Sequence, residues 1–281
     1  MAGSDAPVQI RLAGALLRHH REAARWTVHE AAAELGCDAS KISRIETGHR
    51  RPAPADMRAL LAAYGVAGRE VEAIAELTRD AGAGWWGEYR GLLPDAVVDR
   101  ALLESVAGDV LVWEPLAPPG FLQTRDYAAA IAGADPALET GEQRLLAVQL
   151  AARRAAGLLG RGHGRLAVVI GEAALRQEVG GVKTMLGQLR ELEGRAGQLS
   201  LRVAPFDAGA HPAVGAGPVS VMRFAGVAGV GAVCHGWGAG ASVIGQAELT
   251  AAVRWFEALQ DAALSPRDSH ALIREMIASR R

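Results

Sequence analysis

The chain has 281 residues, 50% of them apolar and 22% charged, with a formal net charge of -1. This composition excludes a wholly disordered chain, and the length exceeds what one core of typical size needs, so two domains are expected. The charge excludes a chain-wide basic surface, and two distant cysteines, Cys37 and Cys234, exclude a disulfide scaffold or a cysteine zinc site. No run approaches the roughly 18 apolar residues of a membrane span, and the first five residues lack the features of a signal peptide, so a soluble, cytoplasmic protein without a cofactor or metal is expected.

Leu12, Leu16 and Leu17 recur at helical spacing over residues 10–24, with Arg11, Arg18, Arg21 and Arg25 on the other face. Thr27 followed by Glu30 is the pattern of a capping box, in which the hydroxyl accepts from an orphan N-H and the carboxylate reaches back, so a second helix starts there. Gly36 ends it, and Asp38 is a good N-cap for a third helix with Ile42 and Ile45 on its inner side. Ala39, Ser40, Ser43 and Arg44 then face outward. Gly48 closes this helix, Arg50-Arg51-Pro52 forms a basic loop, and Met57, Leu60, Leu61 and Tyr64 predict a further helix packed beneath the pair. Residues 1–65 hold nine Lys/Arg against seven Asp/Glu, a local net of +2, together with His19, His20, His29 and His49.

Helical texture continues from Val71 to Thr78 and breaks at Gly82-Ala83-Gly84-Trp85-Trp86-Gly87, which places a linker near residues 80–95. The pattern is helical again over 96–113 and 124–159, with Pro118-Pro119-Gly120 a turn between them and Thr124 an N-cap. After Arg161-Gly162-His163-Gly164, four short apolar runs rich in β-branched residues read as strands, at 166–170, 199–204, 219–224 and 230–234. Helices are expected over 182–196 and 246–263. The fold class is therefore an all-α N-terminal helix-turn-helix domain (1–80), a linker (81–95) and a larger α+β domain (96–281). The latter is helical over 96–160 and carries a mixed sheet of about four strands over 161–281.

The capped turn, the run Ser40-Lys41-Ile42-Ser43-Arg44-Ile45-Glu46-Thr47-Gly48 and the following Arg50-Arg51-Pro52 resemble the phage-repressor-like (XRE) helix-turn-helix regulators. Val28 stands where such modules usually carry Gln early in the second helix. Downstream, Trp113-Glu114-Pro115, Pro119-Gly120-Phe121-Leu122-Gln123-Thr124-Arg125-Asp126-Tyr127-Ala128, Gly171-Glu172-Ala173-Ala174-Leu175-Arg176, Gln188-Leu189, Val203-Ala204-Pro205-Phe206 and Gly209-Ala210-His211-Pro212 resemble a domain common behind such modules in actinobacteria. The resemblance implies an antitoxin-like transcriptional regulator of the Scr1 type, often encoded beside a small partner protein. It also implies that Ala39, Ser40 and Arg44 read bases in double-stranded DNA while Lys41, Ser43 and Arg50 lie near phosphates. Arg51 and Thr27 complete the expected DNA-binding set.

A recognition helix works because phosphate contacts position it while exposed side chains read base edges. Arg44 is the leading candidate, since a guanidinium pairs bidentately with guanine. A homodimer is expected from the spacing of operator half-sites. The alternative is a small helical module that binds protein.

Trp85, Trp86, Phe121, Gln123, Tyr127 and His211 are candidates for lining a ligand pocket or partner groove, against the plainer reading that the aromatic rings fill cores. His211 with Asp207 lacks a third metal ligand at sensible spacing and reads as a loop histidine. Cys234-His235 are strand neighbours, which point to opposite faces, so they make no nucleophile and base. Glu172 after a strand reads as serving a helix dipole rather than catalysis. Gly236-Trp237-Gly238-Ala239-Gly240 lacks the spacing and terminal Lys-Ser/Thr of a phosphate loop. Arg144, Arg153 and Arg154 read as a solvated helix face. No convergent titratable set marks an enzyme. The C-terminal domain is expected to bind a small partner protein, with small-molecule sensing as the alternative and a DNA-tethered enzyme more remote.

Overall fold

A computed structural model describes residues 7–77, 84–160, 164–195, 197–236 and 240–280. Thr78, Gly82-Ala83 of the expected linker, Arg161-Gly162-His163 and Trp237-Gly238-Ala239 of the glycine-rich loop lie outside the described residues.

The N-terminal helices are α1 (Val8–Ala23), α2 (Val28–Glu34), α3 (Ala39–Glu46), α4 (Pro54–Ala63) and α5 (Gly68–Leu77). Each of the first four ends in the same Schellman turn, in which two backbone N-H groups satisfy carbonyls the helix leaves orphaned. The closing bonds are Trp26 N to Arg21 O at 3.0 Å, Cys37 N to Ala32 O at 2.9 Å, His49 N to Arg44 O at 2.8 Å and Val66 N to Leu61 O at 3.0 Å. Such a turn needs one residue at positive φ, supplied by Gly36, Gly48 and Gly65 after α2, α3 and α4. After α1 it is supplied by Arg25, the sole non-glycine residue with positive φ among those described. The capping box of α2 forms as expected: Glu30 N donates to the Thr27 hydroxyl and Thr27 N donates to the Glu30 carboxylate at 2.6 Å. Asp38 caps α3 by accepting from Ser40 N at 2.7 Å.

Residues 85–95, expected as linker, are packed chain. A 3-10 turn spans Trp85–Tyr89, and Tyr89 and Leu93 are buried against Val98, Ala101 and Leu150. The helix expected over 96–113 is instead α6 (Asp95–Val106) running directly into a strand, β1 (Ala107–Glu114). The expected 124–159 helix is two, α7 (Arg125–Ala134) and α8 (Gly141–Gly160), the first capped by the Thr124 hydroxyl. The remaining elements are β2 (Leu166–Gly171), α9 (Ala173–Arg176), α10 (Val182–Gly194), β3 (Ser200–Ala204), β4 (Val219–Phe224), β5 (Val230–His235), β6 (Ala241–Gly245), α11 (Gln246–Ala262) and α12 (Pro266–Ala278).

Among the described residues the sheet thus has six strands rather than about four, in the order β3-β2-β1-β4-β5-β6. β1 and β6 are the two that the sequence reading missed. β1 is parallel to β2, and β2 to β3, so the chain crosses back through α7–α8 and α9–α10; the loop 205–218 then returns past β2 and β1 to β4, which pairs antiparallel with β1, and β5 and β6 add antiparallel in turn. β1 is central and alternates between two cores. Val110 and Val112 belong to one that contains Tyr127, Leu189 and Ile273, while Leu111 and Trp113 belong to the other, under Phe256 and Leu259 of α11.

The first of these cores is continuous with that of the N-terminal helices, joining Leu12, Leu16 and Ile45 to Phe224, Val230 and Ala241. Polar contacts fix the same seat. Arg11 Nη1 donates to Ala241 O at 2.6 Å, and Glu70 of α5 accepts from Ala228 N at 3.3 Å in the β4–β5 turn. The helical module therefore sits on the β5–β6 end of the sheet.

Candidate nucleic-acid interface

Helix α3 is held from three sides, and what remains uncovered is one polar face. Ile42 and Ile45 are buried. Gly14 lets α1 approach so closely that a Cβ there would lie 2.3 Å from Ile45 O. Arg21 of α1 grips Glu46 with both arms of its fork, at 2.7 and 2.9 Å, and also donates to Trp26 O at 2.7 Å. A bidentate charge-assisted pair at low exposure fixes geometry as well as energy. Lys41, expected near phosphates, is instead paired with Asp56 of α4 at 2.7 Å and half-buried, so its ammonium holds α3 to α4.

Ser40, Ser43, Arg44, Arg50 and Arg51 are exposed, and Ala39 is half-buried at the start of the helix. Arg44 lies back along its own helix, with Nε donating to Ser40 O at 3.3 Å and Nη2 to Ser40 Oγ at 3.2 Å. These bonds are long and exposed, so releasing the guanidinium toward a base costs little. The Thr27 hydroxyl is engaged with Glu30, and the Thr27 backbone and hydroxyl donors hold the Glu30 carboxyl below its usual range. Hydrogen bonds from Ser40 likewise hold Asp38 low.

Arg25, exposed at the turn into α2, adopts φ 61°. A left-handed conformation costs an L-residue about 1 kcal/mol where glycine would be free. We expect Arg25→Gly to raise stability in urea by about 1 kcal/mol. If the exposed Arg25 guanidinium contacts a phosphate, the same change weakens DNA binding; unchanged binding shows that it makes no such contact.

The expected pocket residues do not come together. Phe121 and Tyr127 are buried in the core shared with the N-terminal helices, and burial pushes the Tyr127 phenol up to about 12. Trp85 and Trp86 pack edge to face beside Tyr89. Gln123 closes its own loop by donating to Pro118 O at 2.8 Å. His211 lies on the opposite face of the sheet, its ring 6.0 Å from that of Trp113, and its Nδ1 accepts from Ala213 N at 3.2 Å. Cores, not a common groove, claim the aromatic rings. Glu172 is the N-cap residue of α9, and its side chain makes no cap bond there: one carboxylate oxygen pairs with Arg176 and the other accepts from Phe206 N at 2.8 Å, tying the loops that follow β2 and β3. Cys234 is buried, which pushes its thiol up to about 11, and His235 is exposed.

The sequence reading missed a buried ionic cluster beneath the sheet. Arg154 of α8, expected on a solvated face, grips Glu104 of α6 through two bonds of 2.7 Å. Arg100 lies 3.7 Å from Glu104 and 3.8 Å from Glu114, and donates to Ser220 Oγ at 2.6 Å. The i,i+4 spacing of Arg100 and Glu104 was the one available signal. Its neighbour Arg153 is exposed, pairs with Glu88 at 2.9 Å and lies over the Trp85 and Tyr89 rings.

Comparison with known families agrees with this division. Residues 12–74 match a helix-turn-helix domain, and residues 97–275 match a domain of unknown function, DUF5753. No curated protein and no solved structure matches the chain. No helix among the described residues is long and apolar enough to cross a membrane. The helix-turn-helix match supports a DNA-binding regulator, and the second match, which covers more than half of the sequence, shows that the chain belongs to the DUF5753 family.

Proposed function

We propose that the chain is a sequence-specific, XRE-type transcriptional regulator whose C-terminal domain is of the antitoxin-like Scr1 type. That domain dimerises and binds a small, adjacently encoded partner protein in the cytoplasm, and it carries out no reaction. The observation behind the DNA-binding reading is the shape of α3: Ile42 and Ile45 anchor it while Ser40, Ser43 and Arg44 stand exposed beside Arg50 and Arg51. The partner reading is supported by three exposed apolar side chains, Leu116, Phe206 and Val214, on the loops that follow β1 and β3. They are 62%, 68% and 65% exposed, too open for a core role.

Fluorescence anisotropy at two salt concentrations tests the DNA reading, with DNA from upstream of the gene against a scrambled duplex. Wild type is expected to prefer the upstream DNA, and Arg44→Ala to lose about 1–3 kcal/mol of that preference, as one bidentate base contact allows. A change equal on both duplexes would make Arg44 a phosphate contact, and no selective binding at either salt would overturn autoregulation through this helix.

A cleft of about 830 Å³ bordered by Glu70 of the helical module and by the sheet favours a second reading, in which the C-terminal domain senses a small molecule.

A further inference from the structure

The cleft opens between the β4–β5 turn, the start of β1 and one side of α11. Its volume of about 830 Å³ suits a small ligand rather than a docked helix. Along α11, Gln246, Thr250 and Arg254 recur every fourth residue and face it, with Leu249 and Val253 as an apolar strip beside them. Phe224 and Val230, both buried, floor it from the sheet.

The charges lining the cleft are unequally satisfied. Glu70 accepts from Ala228 N and lies 3.6 Å from His20; Asp109 accepts from Arg165 N at 2.8 Å and pairs with Arg223 at 3.2 Å; Glu257 is 3.8 Å from Arg165. Arg254 alone among these charged groups has no hydrogen bond or ion pair within the described residues. An exposed guanidinium beside apolar side chains, facing a second one whose carboxylate is shared, is a receptor for a carboxylate or phosphate carried on an apolar body.

We propose that this cleft is an effector site for a small organic anion, and that its occupancy is felt by the DNA-reading helices. The inference rests on the regulator reading above. The route is short. The turn that borders the cleft also holds Ala228 against Glu70 and Gly229 against His19, so it is part of the seat of α1 and α5. An anion drawn to Arg223 and Arg254 repels the Glu70 carboxylate and loosens that seat. A looser seat gives the helical module orientational freedom that DNA binding must then remove, which weakens binding. Coupling requires only that the anion bind the seated and loosened states unequally.

Benzoate serves as a probe with charge and apolar body, benzamide as its neutral isostere and inorganic phosphate as charge alone. In saturation-transfer NMR on the full chain, benzoate is expected to saturate in the millimolar range. Benzamide and phosphate should bind about tenfold more weakly or not at all. Arg254→Gln, which breaks no hydrogen bond or ion pair among the described residues and so should leave the fold intact, should weaken benzoate binding about tenfold, and Arg223→Gln similarly. Benzoate should lower affinity for upstream DNA about fivefold in wild type and not in Arg254→Gln. Non-saturable benzoate, or binding indifferent to both arginines, overturns the site, and saturable binding that leaves DNA affinity unchanged overturns the effector role. Wild type without selective DNA binding in the absence of benzoate is instead a failure of the regulator reading, because the NMR titration needs no DNA.

Discussion

Arg154→Leu is expected to lower the unfolding free energy by about 3–5 kcal/mol, the usual cost of removing one member of a buried ion pair. The substituted side chain is of ordinary helical propensity, so the loss comes from what it leaves behind. Glu104 is almost fully buried and takes both of its short bonds from the Arg154 fork, while Arg100 stands further off at 3.7 Å. Without Arg154, that carboxylate keeps its desolvation cost and loses its strongest donors. Removing both partners in Arg154→Leu/Glu104→Leu should recover much of the loss, since an apolar pair of similar volume no longer strands a charge. Arg153→Leu, one residue away, should change stability by less than about 1 kcal/mol because its pair with Glu88 is exposed. Urea unfolding of the three variants decides the matter. A loss below about 1 kcal/mol in Arg154→Leu, or no recovery in the double variant, would mean that the pair is not the joint between α6 and α8.

Arg154 also shows where a sequence stops informing. Consecutive helical residues point about 100° apart, so Arg153 and Arg154 necessarily face different surroundings. Which of the two is inside depends on Glu104, fifty residues earlier in the chain. The N-terminal helices were legible because their signals are local: Thr27 and Glu30 reach each other within one turn, Asp38 caps two residues on, and Gly36 and Gly48 mark the ends. Arg25 escaped because nothing in an arginine announces a positive φ. β1 was read as helix because a central strand covered on both faces carries an apolar run, Val110 to Trp113, without alternation, and α6 runs into it with no loop between. β6 is short and only its first residue is buried, so its pattern is faint. The polar face of α3 could be anticipated from spacing, but the pairing of Lys41 with Asp56 and the folding back of Arg44 could not, because rotamers answer to neighbours rather than to period.

Glu114→Gln should stabilise the protein, and by an amount that depends on pH. Glu114 ends β1 beneath the cluster, where burial pushes its carboxyl up to about 7; Arg100 and Arg154 pull against this and Glu104 adds to it. In the unfolded chain the same group titrates near its ordinary 4.5. Between those two values the native state holds a proton that the unfolded state has released, so rising pH favours unfolding across that window. The wild type therefore loses stability as pH climbs from about 4.5 to 7, by about 3 kcal/mol in all, and loses no more from this group above it. Glutamine has no proton to lose and keeps the shape of the neutral acid. The variant and the wild type should thus be nearly equal at about pH 4.5 and separate to about 3 kcal/mol by about pH 8, read from urea midpoints and slopes at several pH values. A gap that is constant with pH would show that the Glu114 carboxylate is charged throughout, held by Arg100 and Arg154 together. In that case Glu114→Gln should destabilise instead, because it would strip one anion from a cluster whose two guanidiniums would then share only Glu104.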